Sequence, residues 1–233
     1  MDHKSLIKKP KSARGLETLN RLLSAAAQVF YEKGYHEANI TDITAAAGLA
    51  AGTVYVYFDS KYNLYKFLLF ECGHMIRNHL HSATKNCSTR YEAERAGMQA
   101  WLEFVSRNRY VYHIIWESLY VDKQLFVEYY KTFSLSYINA IEKGKERGEI
   151  RPDIGSDVLA WTLMGAANFL GLNWGLFKDF SNNLDQITED FMKIISGAFT
   201  APALSEAKYE QSPIQIRVDF DFDDELGLSE FLT

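Results

Sequence analysis

The sequence predicts an all-α protein, and three observations carry that expectation. Apolar residues recur at helical spacing almost everywhere up to residue 199, no hairpin signal interrupts them, and glycine, asparagine and proline fall between the periodic stretches. With 233 residues, 47% of them hydrophobic, the chain has material for a real core in one large domain or two smaller ones. A chain disordered over most of its length is excluded. The longest apolar stretch, 164–177, is interrupted by Asn168 and Asn173, so no membrane span is expected. The basic N-terminus has no apolar run behind it and does not read as a secretory signal. Cys72 and Cys87 cannot build a disulfide framework and read as reduced thiols of a cytoplasmic protein.

The first helix is carried by Leu16, Leu19, Leu23, Ala26, Ala27 and Phe30, which share one face. It ends at Gly34, since glycine accepts the left-handed conformation of a helix C-terminus. A short helix over 40–48 follows, with Thr41 as its N-cap, Asp42 in its first turn and Gly48 at its close. Residues 49–51 make a turn, and Gly52 to Phe58 form a second short helix. Asp59 and Ser60 start a long one, with Leu64, Phe67, Leu68, Cys72, Met75 and Ile76 on one side. Further helices are predicted near 89–108, 109–120, 122–147, 156–177 and 182–199, divided at Asn108, at Asp122, around Pro152 and at 181–183.

Charge is unevenly placed. Residues 1–199 hold 23 basic and 22 acidic side chains, whereas residues 200–233 hold 2 and 8. Lys4, Lys8, Lys9, Lys11 and Arg14 crowd the other end, a footprint suited to nucleic acid. Within the acidic tail, Ile214, Ile216, Val218, Phe220 and Phe222 alternate with polar residues, which predicts a strand. Three readings of that tail stand open: a solubilising end, a strand crossing to a second copy, or a DNA-mimicking brake. The expected organisation is a basic flexible arm (1–15), a helix-turn-helix domain (16–60), a helical effector-binding and dimerisation domain (61–200) and the tail (201–233).

Residues 40–58 carry the chemistry. Two short helices joined at Gly48 have the helix-turn-helix spacing. Small residues (Ala45, Ala46, Ala47, Ala50, Ala51) let the helices cross closely and let the second approach a duplex. Thr41, Thr53, Tyr55, Tyr57 and Lys61 supply donors for phosphate oxygens.

At these residues the sequence resembles the N-terminal domain of the TetR family of bacterial transcriptional regulators. The matching stretches include Ala25 to Phe30, Lys33-Gly34-Tyr35, Ile40 to Ile43, Ala46 to Leu49, Gly52 to Phe58 and Ser60 to Leu64, in order and correctly spaced. The resemblance covers about 50 residues closely, from 16 to 66; the rest is similar in helical layout and length. It implies three DNA-binding helices, a linking helix, and later helices that bind a small effector and dimerise. It implies DNA contacts at Thr41, at Ala51, Gly52 and Thr53 opening the recognition helix, and at Tyr55, Tyr57 and Lys61, with Ile43, Val54 and Phe58 in the core. This chain departs from the family in having no Lys or Arg between Lys33 and Lys61. Bidentate guanine readout from the recognition helix is therefore closed to it. Ala51 and Val56 would meet thymine methyls, Thr53 and Tyr57 would donate hydrogen bonds, and cationic contact would come from Lys61, Lys8, Lys9, Lys11 and Arg14.

Between Trp101 and Tyr137 stand 11 aromatic residues. Buried Tyr and Trp need partners for their polar ends, which suits a largely apolar cavity with a few anchors. His113, Trp116, Tyr120, Tyr130 and Asn168 are the candidate ligand residues, for an elongated or aromatic hydrophobic effector. The small residues Gly165, Ala166, Ala167, Gly171 and Gly175 permit close helix approach in the last two helices, 156–177 and 182–199. The resemblance implies that these helices pair with their copies in a homodimer. Such a dimer reads a palindromic double-stranded operator with half-sites roughly 34–36 Å apart, or a multiple. Repression relieved by the effector is the expected mode.

No enzyme, cofactor or metal site is expected. Tyr62 to Lys66 spells YxxxK, but no glycine-rich dinucleotide fingerprint precedes it. His74, His79 and His81 do not share one helix face. Two other readings compete: a redox-responsive DNA-binding regulator using Cys72 and Cys87, and a helical interaction module that ignores DNA.

Overall fold

The structure, a computed structural model, describes residues 6–177 and 183–199. The described residues form nine α-helices and no strand: α1 (Ala13–Glu37), α2 (Ile40–Ala46), α3 (Thr53–Tyr57), α4 (Lys61–Thr84), α5 (Arg90–Arg107), α6 (Arg109–Val121), α7 (Lys123–Glu146), α8 (Ser156–Leu172) and α9 (Leu184–Ile195). α8 runs into a wider π turn over Asn173–Phe177, and a 3-10 turn over Ser196–Ala198 follows α9. The acidic tail and its expected strand lie outside the described residues.

Each boundary has a local cause. α1 breaks its helical dihedrals at Gly34, at φ +74°, and Gly48 ends α2 at φ +63°. The cap of α2 is Asn39, not Thr41. Asn39 Oδ1 accepts from the Asp42 N–H at 2.8 Å, and Asp42 accepts in return from the Asn39 N–H at 3.2 Å. This reciprocal box satisfies two of the donors that a helix start leaves open. A hydrogen bond from Lys33, at 3.0 Å, is the main reason the Asp42 carboxyl sits below the usual carboxylate range; the Asn39 N–H adds to it. Ser60 caps α4, Thr89 forms a box with Glu92 at α5, and Asp122 caps α7.

The helices pack around a continuous core. α1 lies against α2, α4 and α6; α4 crosses α5; and α5 sits under α8 and α9. In the N-terminal head, Leu22, Ala26, Phe30, Ile43, Val54, Phe58 and Leu64 are fully enclosed. Burying one such large aliphatic or aromatic side chain is worth roughly 1.5–3 kcal/mol. Two expected core positions are displaced. Leu16 is half exposed, one turn before the buried Leu19, while Leu22, which the pattern left out, is fully buried. Met75 faces outward beside the buried Ile76.

Residues 6–11 also differ from the flexible arm expected there. Leu6 and Ile7 pack against the core, and the Lys8 N–H donates to the Tyr57 carbonyl at 2.8 Å. Among the described residues no helix is long and apolar enough to cross a membrane.

Candidate nucleic-acid interface and effector cavity

α2, the turn at Gly48 and α3 form the helix-turn-helix. Arg21 of α1 closes the turn from behind, donating to the Ala47 carbonyl at 2.6 Å. Thr41, Ala51, Gly52, Tyr55 and Val56 are exposed, and Thr53 is half-buried at the start of α3. Together they give one outward surface of apolar and hydroxyl groups with no cation in it.

Two of the expected contact residues are engaged inside the protein. Tyr57 is buried, and its hydroxyl donates to the Gly15 carbonyl at 2.9 Å. Val54, Tyr57 and Phe58 stand at i, i+3 and i+4, so helical spacing puts them on one inward face. Lys61 is half-buried, and its ammonium donates to the carbonyls of Tyr35 at 2.7 Å and Ala38 at 2.8 Å while lying over the Tyr35 ring at 4.4 Å. It clamps the end of α1 to the start of α4. Lys9, Lys11 and Arg14 are exposed.

A second feature opens in the helical body, a cavity of about 670 Å³ walled by α4, α5, α6, α7 and α8. Its inner wall is apolar and aromatic, with Met98, Trp101, Tyr112, Tyr130, Phe133 and Leu163. Trp101 Nε1 donates to the Ala167 carbonyl at 2.8 Å, and the Tyr112 hydroxyl donates to the Asn168 carbonyl. The buried rings are thus polar-satisfied on α8. Burial pushes the Tyr112 hydroxyl up to about 12 and drives Tyr130 further in the same direction, so both stay protonated donors at neutral pH.

The opposite part of the wall is polar. Arg90 pairs with the buried Glu94, which also accepts from the Tyr137 hydroxyl. Lys143 and Arg147 are exposed cations at the same cavity, with the exposed His81 imidazole beside them on the lining. Arg77 lies over the Phe133 ring at 5.1 Å, and burial lowers its pKa. Cations therefore outnumber the single carboxylate, Glu94, on the lining.

The structure brings two of the five expected ligand residues to this cavity. The Tyr130 hydroxyl donates to Asn168 Oδ1 at 3.4 Å, and both line the wall. Tyr120 is 79% exposed on the outside. His113 packs against the Tyr31 ring, between α6 and α1. Trp116 stacks among Tyr112, Phe126 and Phe169 behind the lining. His113, Trp116 and Tyr120 share one face of α6 at i, i+3 and i+7, turned away from the Tyr112 and Ile115 face that lines the cavity. Sequence reasoning missed the Arg90–Glu94–Tyr137 group. The i, i+4 spacing of its first two members was the readable signal.

α6 also ties the body to the head. Glu117 Oε1 accepts from the Tyr35 N–H at 2.5 Å, and the Tyr65 hydroxyl of α4 donates to the Ile114 carbonyl at 2.7 Å. Of the thiols, Cys72 is buried, and burial pushes it up to about 12; Cys87 is half-buried at the cavity. A protonated, enclosed Cys72 lacks the thiolate that redox sensing requires.

Comparison with known proteins agrees with this geometry. Residues 22–67 match the family profile described as bacterial regulatory proteins, tetR family. The chain is 30% identical over 105 residues to the HTH-type transcriptional activator FasR of Mycolicibacterium smegmatis, covering 45% of this chain and 48% of that one. It is 42% identical over 41 residues to the fatty acid metabolism regulator protein of Bacillus subtilis, or 18% of this chain and 21% of that one. The matched part thus spans about half, or less, of these curated relatives. The fold is shared with the fatty acid degradation regulator FadR of Bacillus halodurans (TM-score 0.70, 21% identity, 80% of this chain and 96% of that one). It is shared likewise with FadR of Bacillus subtilis in complex with stearoyl-CoA (TM-score 0.66, 19% identity, 78% and 100%).

Proposed function

We propose, from the match of residues 22–67 to the profile of bacterial regulatory proteins, tetR family, that this chain is a ligand-responsive transcriptional repressor of that family, working in the bacterial cytoplasm. It binds a palindromic operator as a homodimer and leaves the operator when a hydrophobic effector fills the cavity. The observation that carries this reading is the pairing, in one body, of an exposed helix-turn-helix surface with a cavity joined to it by α6 and α4.

The head meets DNA through Thr41, Ala51, Gly52, Thr53, Tyr55 and Val56. With no Arg or Lys among them, base readout rests on thymine methyls and hydroxyl donors. Cationic contact comes from Lys9, Lys11 and Arg14. The effector is an amphiphile with a long apolar chain. Its chain lies along Trp101, Tyr112, Tyr130 and Leu163, and its polar end lies toward Arg90, Lys143 and Arg147. The acyl-CoA named for the Bacillus subtilis FadR structure is the ligand class this division of the wall fits. The dimer forms through α8 and α9, which leave Val158, Trp161, Phe169 and Ile194 exposed.

Release follows as a population shift: the effector prefers a conformer whose two heads no longer match the half-sites. The test is selection of bound duplexes from a random pool, followed by titration of the selected duplex with stearoyl-CoA. A palindrome whose affinity falls on adding stearoyl-CoA is expected. Retention of no duplex even at low salt would overturn the reading. A palindrome released by neither stearoyl-CoA nor shorter acyl-CoAs would overturn the effector class alone.

A further inference from the structure

We propose that residues 6–10 form a strap that holds α3 in its DNA-reading position, with Lys8 as the positioning residue. The inference rests on the reading of α3 as the helix that meets DNA.

α3 has five residues, and its start has no side-chain cap. A helix this short leaves most of its carbonyls without intrahelical partners and cannot stabilise itself. Its position must be fixed from outside, and the strap does so at the C-terminal end. The Lys8 N–H donates to the Tyr57 carbonyl at 2.8 Å. The Lys8 ammonium donates to the Tyr55 carbonyl at 3.4 Å and pairs with Asp59 at 2.6 Å. One residue thus holds three consecutive odd positions, the last two of them at and just beyond the end of α3. Leu6 and Ile7, half-buried against the core, anchor the strap beside it. The Tyr57 hydroxyl, on the Gly15 carbonyl at 2.9 Å, ties the same helix to α1.

The direction of the Lys8 ammonium separates it from its neighbours. It is exposed like them, but it is engaged with the Tyr55 carbonyl and Asp59, so its charge is paired at the surface. Lys9 and Lys11 are exposed and carry no such bond to α3. The two kinds of lysine act differently on DNA. A phosphate contact raises affinity for every duplex and steepens the salt dependence, by about 0.9 in the log–log slope for each phosphate neutralised. A positioning contact raises affinity only where base edges are read, and leaves the slope alone.

The test uses the full chain, the selected operator duplex and a scrambled duplex of the same length, over a series of salt concentrations. Lys8→Ala is expected to weaken operator binding roughly two- to tenfold, the size of one ordinary hydrogen bond. It leaves the scrambled duplex and the salt slope as in the wild type, and it speeds amide exchange at Phe58, whose N–H closes α3 on Val54. Lys8→Arg restores operator binding. Asp59→Asn repeats the loss in smaller measure, and so keeps the test open if Lys8→Ala lowers stability. The double variant Lys9→Gln, Lys11→Gln weakens both duplexes alike and flattens the slope. The proposal is overturned if Lys8→Ala weakens both duplexes equally with a flatter slope, or changes neither binding nor exchange. A wild-type chain that fails to discriminate the two duplexes overturns the underlying reading of α3, and this inference with it.

Discussion

Gly34 and Gly48 both sit at positive φ, yet substitution should not cost the same at the two sites. An L side chain in the left-handed helical region costs about 1–2 kcal/mol, and about 1–3 kcal/mol at Gly34, whose φ of +74° and ψ of +163° only glycine adopts readily. At Gly48 the added methyl would meet only the end of the Arg21 side chain, at 3.1 Å, which can move. At Gly34 it would come within 2.9 Å of Glu117 Oε1, the atom that accepts from the Tyr35 N–H. Gly34→Ala is therefore expected to lower stability by the backbone cost plus part of that hydrogen bond, and Gly48→Ala by the backbone cost alone. Denaturant midpoints of the two variants check the order. A second residue sets an acid and an alkaline limit. The Tyr62 hydroxyl, then the N–H groups of Leu125 and Gln124, hold the Asp122 carboxyl below its ordinary pKa. A lowered folded pKa contributes stability above the unfolded value, about 3.9, and loses it as pH falls through the folded one. Asp122→Ala should cost about 1 kcal/mol near neutrality, as the loss of an N-cap. That deficit should narrow in acid. It should narrow again in alkali, because burial and Asp122 push Tyr62 up to about 12 and its share of stability is lost as pH rises through that value. Thermal melts of both proteins from acid to alkaline pH check the two ends.

Among the elements, α6 matters most to the response. Ile115 and Tyr112 face the cavity, while Glu117 and Ile114 hold the Tyr35 N–H of α1 and the Tyr65 hydroxyl of α4. A shift of α6 on one side must therefore disturb the head on the other. Glu117→Ala leaves the Tyr35 N–H without its acceptor, which costs about 1–3 kcal/mol. It should also blunt the fall in operator affinity that an acyl-CoA produces. Operator titrations with and without stearoyl-CoA check that coupling; an undiminished response in the variant would remove α6 from the path. The helices themselves were legible in the sequence because caps and breakers mark them: Ser60, Gly34, Gly48 and Asp122 all act where the pattern puts them. The phase of each helix was less legible. Leu16 lies on the same apolar stripe as Leu19 yet is exposed, whereas Leu22, off that stripe, is fully buried. Tyr57 was legible in principle, since i, i+3, i+4 spacing joins it to Val54 and Phe58. Lys61 was not, because the carbonyls it bonds, of Tyr35 in α1 and of Ala38 just beyond its end, lie far off in sequence and leave no local signal. The cavity wall has the same character: Trp101, Tyr130 and Asn168 meet only through the crossing of α5, α7 and α8.

At the scale of the whole molecule, the reading head is too weakly charged to act alone. Its outward surface holds no Lys or Arg between Lys33 and Lys61, Lys8 is paired with Asp59 at the surface, and Lys61 is turned onto the Tyr35 and Ala38 carbonyls. Few phosphate contacts per head mean a shallow salt dependence and weak single-head binding. Two heads on one rigid dimer recover affinity, because the second contact becomes intramolecular once the first is made. In the proposed dimer, the apolar side chains left uncovered on α8 and α9 are the means. Val158, Trp161 and Phe169 follow i, i+3 and i+11 along α8, and Ile194 on α9 is 83% exposed. A charge placed on that surface is buried without a partner if the helices pair, and is solvated if they do not. Phe169→Glu and Ile194→Glu are therefore expected to leave the fold intact and shift the chain from dimer to monomer in sedimentation. Operator affinity should fall by at least tenfold, while the weak binding of one head to a half-site duplex is kept. Dimers that persist in the double variant, with operator affinity unchanged, would move the two-fold axis to another face of the protein.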